Sequence, residues 1–168
     1  DAIRGTGERM VWDGTYAESS ISGVTSFDSD GFTVGTETGN NLSTGSFVSW
    51  SWLGASSNAA NSEGNISSVV RANTSAGMSI VSFTGDDQPS ATIGHGLSEA
   101  PELVIIKSRD SAEGWYVGSS KGSMSFTSSD YLTLNTAGGE SSSDTIWDDT
   151  APTATVFSVG TNDAVNSF

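Results

Sequence analysis

His95 is the sole histidine in the 168 residues, so serine-nucleophile chemistry would have to use it as the base. Asp86 or Asp87 would then orient it. The run Gly118–Gly122 (GSSKG) fits the G-x-S-x-G pattern, with Ser120 at the nucleophile position. That pattern works as a sharp strand-to-helix turn, and Ser123–Thr127 (SMSFT) reads as strand or loop. The residues favour a turn at His95-Gly96-Leu97 with the imidazole bonded to nearby backbone. No catalytic residue is expected, and the chain reads as a non-enzyme.

Asp28-Ser29-Asp30-Gly31 resembles part of a calcium loop, because hard cations collect carboxylate and carbonyl oxygens around a tight turn. Asp28 and Asp30 are the candidate ligands, with Asp86-Asp87 and Asp148-Asp149 as lesser ones. The competing reading is a plain turn, with Asp bonding backbone and Gly supplying positive φ. Calcium is thus the candidate ion, and no other cofactor is expected. Trp115 and Tyr116, with Trp50 and Trp52, could stack on a sugar ring. Aromatics at alternating strand positions are more often core.

These residues sit on short strands. Helical periodicity is nearly absent, and β-type runs recur between Gly, Ser, Asn and Asp clusters. They are Phe32–Val34, Phe47–Trp52, Val69–Ala72, Met78–Thr84, Leu103–Lys107, Trp115–Val117, Tyr131–Asn135 and Thr155–Val159. In Phe47–Trp52, Val48, Trp50 and Trp52 share one face, the alternation of a half-buried antiparallel strand. Leu103–Ile106 is apolar on both faces and is expected to run through the centre of a sandwich. In Tyr131–Asn135, Leu132 and Leu134 are expected inward. The fold class is all-β: an antiparallel, jelly-roll-like β-sandwich.

Two stretches match internally. Phe32, Val34, Gly35 and Thr36 correspond to Phe157, Val159, Gly160 and Thr161. Residues 1–57 therefore read as an N-terminal β segment resembling the end of a preceding repeat. Residues 58–65 (NAANSEGN) read as a linker, and 66–168 as the main domain. The first copy is followed by the aromatic strand and the second stops at Phe168. Phe47, Val48, Trp50, Trp52, Val165 and Phe168 are therefore the candidate subunit contacts.

Composition narrows the functions further. The net charge is −14, from 20 acidic and six basic residues. Nucleic acid and anionic membranes are disfavoured, since both need clustered Lys and Arg. The absence of cysteine removes disulfides and thiolate chemistry. Ser and Thr make up roughly three in ten residues, but five Trp, seven Phe and three Tyr argue for a folded core.

Several of these runs, in this order, resemble a repeat module of tailed-phage virion and tail-fibre-like proteins, frequent in marine and cyanobacterial phages. They are Phe27–Thr36 (FDSDGFTVGT), Ala76–Gly85 (AGMSIVSFTG), Thr92–Leu97 (TIGHGL), Pro101–Ser108 (PELVIIKS), Trp147–Pro152 (WDDTAP) and Val156–Thr161 (VFSVGT). The resemblance implies an extracellular location on a virion exterior, and a structural role as tail fibre, decoration or other exterior component. Its partners would be copies of itself or other virion proteins. The alternatives are a receptor- or carbohydrate-binding module meeting a host-surface glycan, and a subunit of a bacterial extracellular filament.

Overall fold

The computed structural model describes residues 1–167, and the contact expected at Phe168 lies outside them. The chain is all-β. Near the N-terminus β1 (Glu8–Arg9) pairs with β2 (Ser19–Ser20), and β3 (Val24–Phe27) forms a hairpin with β4 (Phe32–Val34). A helical turn, α1 (Thr38–Asn41), follows. Next come β5 (Ala59–Asn61), β6 (Ser68–Asn73) and β7 (Met78–Phe83), an antiparallel sheet in sequence order.

The remaining strands interleave. β8 (Ala91–Gly94) pairs with the distant β13 (Val156–Val159). Between them in the chain lie β9 (Leu103–Ile106), β10 (Tyr116–Ser119), β11 (Asp130–Thr133) and β12 (Ser141–Ser142), in the spatial order β12-β11-β10-β9. Two further helical turns, α2 (Asp144–Trp147) and α3 (Asp163–Asn166), flank β13. All pairings between named strands among the described residues are antiparallel, distributed over sheets of two to four strands.

The core gathers where these sheets meet α2 and α3. Trp147, Ile93 and Val159 are fully buried, with Ile146, Phe126, Ile106 and Val165 around them. Burying one Trp removes about 150–250 Å2 from water, worth roughly 4–6 kcal/mol as an upper figure. Trp147 still needs a partner for its indole N–H, and it donates to the Asp130 carbonyl at 3.0 Å. Phe126 meets it edge-on at 5.4 Å.

Gly118 explains how both rings fit. A Cβ there would lie 2.5 Å from Phe126 Cε1 and 2.7 Å from Trp147 Cε2. The first Gly of the GSSKG run is therefore a packing residue.

Several expectations are corrected. Phe47–Trp52 is not a strand: residues 42–57 carry no strand at all, and Phe47, Val48, Trp50 and Trp52 are exposed. Alternation reports a face that can be covered, and here no part of the described chain covers it. Leu103–Ile106 is an edge strand, with Val104 and Ile106 buried and Leu103 and Ile105 exposed. Tyr131 of β11 packs against the core, while Leu134, one residue past that strand, is exposed.

Residues 58–65 do not form a linker, because Ala59–Asn61 is a strand paired to β6. Asn65 also clasps Thr92, accepting its backbone N–H at 2.6 Å. Val165, expected as a subunit contact, is buried in the core at the end of the chain.

Candidate interaction surface

His95 is buried, and backbone groups hold both of its ring nitrogens. The Leu97 N–H donates to Nδ1 at 3.1 Å. The proton therefore sits on Nε2, which donates to the Thr153 carbonyl at 3.1 Å. Burial pushes the imidazole below its ordinary pKa, and the Thr153 bond acts the other way. Ser120 is exposed, with its N–H bonded to the Glu102 carbonyl, and loop rather than helix follows it.

The β3–β4 turn carries Asp28 and Asp30. Ser26 Oγ donates to Asp28 Oδ1 at 2.8 Å, and Thr33 Oγ1 donates to Oδ2 at 2.9 Å. Asp28 thus braces the hairpin through both oxygens. Asp148 and Asp149 adopt positive φ, where Asp148 closes α2 by donating its N–H to the Asp144 carbonyl. Among the described residues, no three His, Cys, Asp or Glu side chains converge as a metal site would require.

Trp115 offers no open face for a sugar. It is buried, and Trp12 stacks on it at 4.4 Å with planes 10° apart. Its indole N–H donates to the Val11 carbonyl at 2.8 Å. Tyr116 leans on Tyr131 at 5.2 Å and borders an open hollow of about 410 Å3 with Glu113, Thr145 and Asn162. Burial, then Tyr131 and Glu113, pushes its phenol pKa up. Beside Trp115 the open aromatic surface belongs to Trp12, 54% exposed, and Tyr16, 68% exposed. Tyr16 lines a hollow of about 540 Å3 with Arg9 and Val11. Trp12 and Trp115 are distant in sequence, so no local pattern announces the pair.

The most exposed apolar feature lies between α1 and β5. Phe47, Val48, Trp50, Trp52 and Leu53 are 55%, 74%, 74%, 66% and 78% exposed. Beyond them the chain is fastened to β6. Asn73 Nδ2 donates to the Leu53 carbonyl at 3.0 Å, and Arg71 donates to the Ala55 carbonyl at 3.3 Å and to Asn58 Oδ1 at 2.6 Å. The aromatic part therefore forms an arm with an anchored base.

The two matching stretches are also alike in local structure. In each copy a strand ends at a Gly, and one helical turn follows that ends in Asn: Asn41 after β4 and Asn166 after β13. Gly35 N–H donates to the Gly23 carbonyl at 2.7 Å, and Gly160 N–H to the Ile146 carbonyl at 3.0 Å. Neither Gly has room for a side chain. A Cβ on Gly35 would strike the Ser22 carbonyl oxygen, and one on Gly160 would strike that of Thr145.

The copies differ in what surrounds the Asn. Asn166 is buried against the loop after β7, where its Oδ1 accepts the Asp86 N–H at 3.0 Å and its Nδ2 donates to the Gln88 carbonyl at 3.0 Å. Asn41 is exposed.

The family described as Domain of unknown function (DUF7483) matches residues 1–168. The chain belongs to this family. No curated protein and no solved structure matches it significantly.

The electrostatics of the DUF7483 domain are lopsided, and each cation is engaged within the chain. Glu18 accepts from Arg4 at 2.6 Å and from Arg109 at 2.7 Å, tying the N-terminal segment to the rest. Burial raises the Glu18 pKa, but bonds from Arg109 and Arg4 outweigh it, so the carboxyl lies below its ordinary value. Arg9 reaches Glu37 at 3.9 Å, and Lys121 pairs with Glu102 at 2.7 Å on the open surface. Arg71 holds the arm's base, and Lys107 Nζ donates to the carbonyls of Ser108 and Ser111. No helix among the described residues is long and apolar enough to cross a membrane.

Proposed function

We propose that this domain is a non-catalytic structural module of a virus particle's exterior, acting through contacts between subunits. The observation that carries the reading is the arm at Phe47–Leu53. Soluble monomers rarely expose contiguous apolar patches beyond a few hundred Å2, and larger ones mark interaction sites. The duplicated strand–Gly–turn–Asn unit supports it, because repeated units suit extended assemblies whose neighbours complete one another. So does the order of motifs, which resembles that of tailed-phage virion modules. The strong negative charge keeps the parts soluble until specific contacts form.

Mass spectrometry of purified particles, with gold-labelled antibody against the domain, tests the assignment. Surface labelling of intact virions is the expected result. Recovery of the domain only from infected-cell lysate, with none in particles, would remove the reading.

A second reading is a host-glycan module, favoured by the exposed rings of Trp12 and Tyr16 beside the Arg9–Val11 hollow. Sugar faces stack on such rings, and neighbouring polar groups set specificity. A glycan array probed with the wild-type domain and with Trp12→Ala separates the two: binding that the substitution abolishes selects the glycan module.

A further inference from the structure

The arm and one sheet edge share properties that bear on what covers them. β7 has β6 on one side and no hydrogen-bonded strand on the other among the described residues. Such an edge presents unpaired N–H and C=O groups to any extended segment that reaches it. Both β7 and the arm are six or seven residues of strand-forming composition, MSIVSF and FVSWSWL.

Charge distribution singles out the same two segments. In a chain of net charge −14, residues 38–62 contain no Asp, Glu, Lys or Arg, and neither do residues 72–85. They are the two longest uncharged runs in the sequence, so contact between them sets no carboxylates of the two windows against each other.

The arm cannot serve the β7 of its own chain in this arrangement. Its base is fastened at Leu53, Ala55 and Asn58 to Arg71 and Asn73 of β6. It then feeds into β5, which lies across β6 from β7.

The repeat points the same way. The C-terminal unit packs beside the end of β7, where a Cβ on Gly85 would meet the Asn166 and Ser167 backbone. The N-terminal unit, which carries the arm, makes no such contact through Asn41.

We propose that the Phe47–Leu53 arm of one chain adds as a strand to the free edge of β7 in a second copy. The inference rests on the structural reading above and gives it a specific joint. The exposed apolar part of the arm amounts to roughly 600 Å2. Covering arm and acceptor together removes roughly 1,200 Å2, the lower bound of a specific interface, and a reciprocal exchange doubles it. Backbone bonds supply the pairing and the alternate Trp side chains set the register, as in β-augmentation generally.

The test uses the full chain in sedimentation and disulfide trapping, for which the absence of native cysteine is convenient. Wild type is expected to associate at micromolar concentration. The Trp50→Ser/Trp52→Ser double variant should weaken association at least tenfold with an unchanged circular dichroism spectrum. Chains carrying Ser51→Cys should cross-link to chains carrying Ser82→Cys, and not to Ile105→Cys on the β9 edge. A monomer at all concentrations, association indifferent to the Trp substitutions, or trapping at β9 would each overturn the arm–β7 joint. Particle labelling decides the structural reading independently, so either idea can fail while the other stands.

Discussion

Asn41 and Asn166 make the same bond in two different settings. Each side-chain amide donates to the carbonyl of the Gly six residues earlier, at 2.7 Å to Gly35 and at 2.9 Å to Gly160. Only Asn166 is buried and also bonded to Asp86 and Gln88. Asn166→Ala leaves buried partners unsatisfied and should cost about 2–4 kcal/mol, whereas Asn41→Ala should cost under about 1 kcal/mol. Urea denaturation of the two variants side by side checks this.

The Glu18 clamp gives a pH signature. Its folded-state pKa is lowered, so its contribution to stability is present above the ordinary carboxylate value and is lost as pH falls through the folded value. Glu18→Gln should cost on the order of 1–2 kcal/mol at pH 7 and flatten the acid limb of the stability curve. Denaturation midpoints between pH 3 and pH 7 read both effects.

His95 adds a second, separable pH term. Its pKa is also lowered, but as a base it is held neutral when folded, so the unfolded chain takes up the proton first. Stability is full above the ordinary imidazole value and declines below it, by at most about 1.4 kcal/mol per pH unit. His95→Gln should remove that decline between pH 7 and pH 5, and wild type and variant should then differ in slope.

Gly118→Ala tests the core directly. The new methyl would press on Phe126 and Trp147, and overpacking of this kind costs about 1–3 kcal/mol. Thermal melting followed by Trp fluorescence should show the loss, and the same substitution at the open Gly139 should show none.

Calcium is the last check. Because Asp28 is turned toward Ser26 and Thr33 and no three acidic or His side chains converge among the described residues, millimolar calcium should leave the melting temperature unchanged. Bound ligand at many times its Kd would raise it.

Strands were legible where apolar runs met turn residues, as at Phe32–Val34 and Met78–Phe83, both of which form there. Position within a sheet was not legible. Leu103–Ile106 looks central by composition, but edge or centre depends on partners brought in from elsewhere in the chain. Phe47–Trp52 shows the limit most clearly, since alternation predicts a face to be covered without saying which molecule covers it. The place of Trp147 at the centre of the core was not legible, because a four-residue turn has no periodicity to detect. The ion pair of Glu18 with Arg109 and the stacking of Trp12 on Trp115 join distant positions, and spacing carries no sign of them.

The housing of the six cations bears on survival among proteases. A trypsin-like enzyme needs an extended stretch whose basic side chain is free to leave its own partners and enter the specificity pocket. Arg4 and Arg109 share one carboxylate, while Arg71 and Lys107 grip main-chain oxygens. Arg9, 3.9 Å from Glu37, and Lys121, on the open surface, are held by one ion pair each. Digestion should therefore begin after Arg9 and Lys121 and stall there, a degree of durability that needs no crosslink.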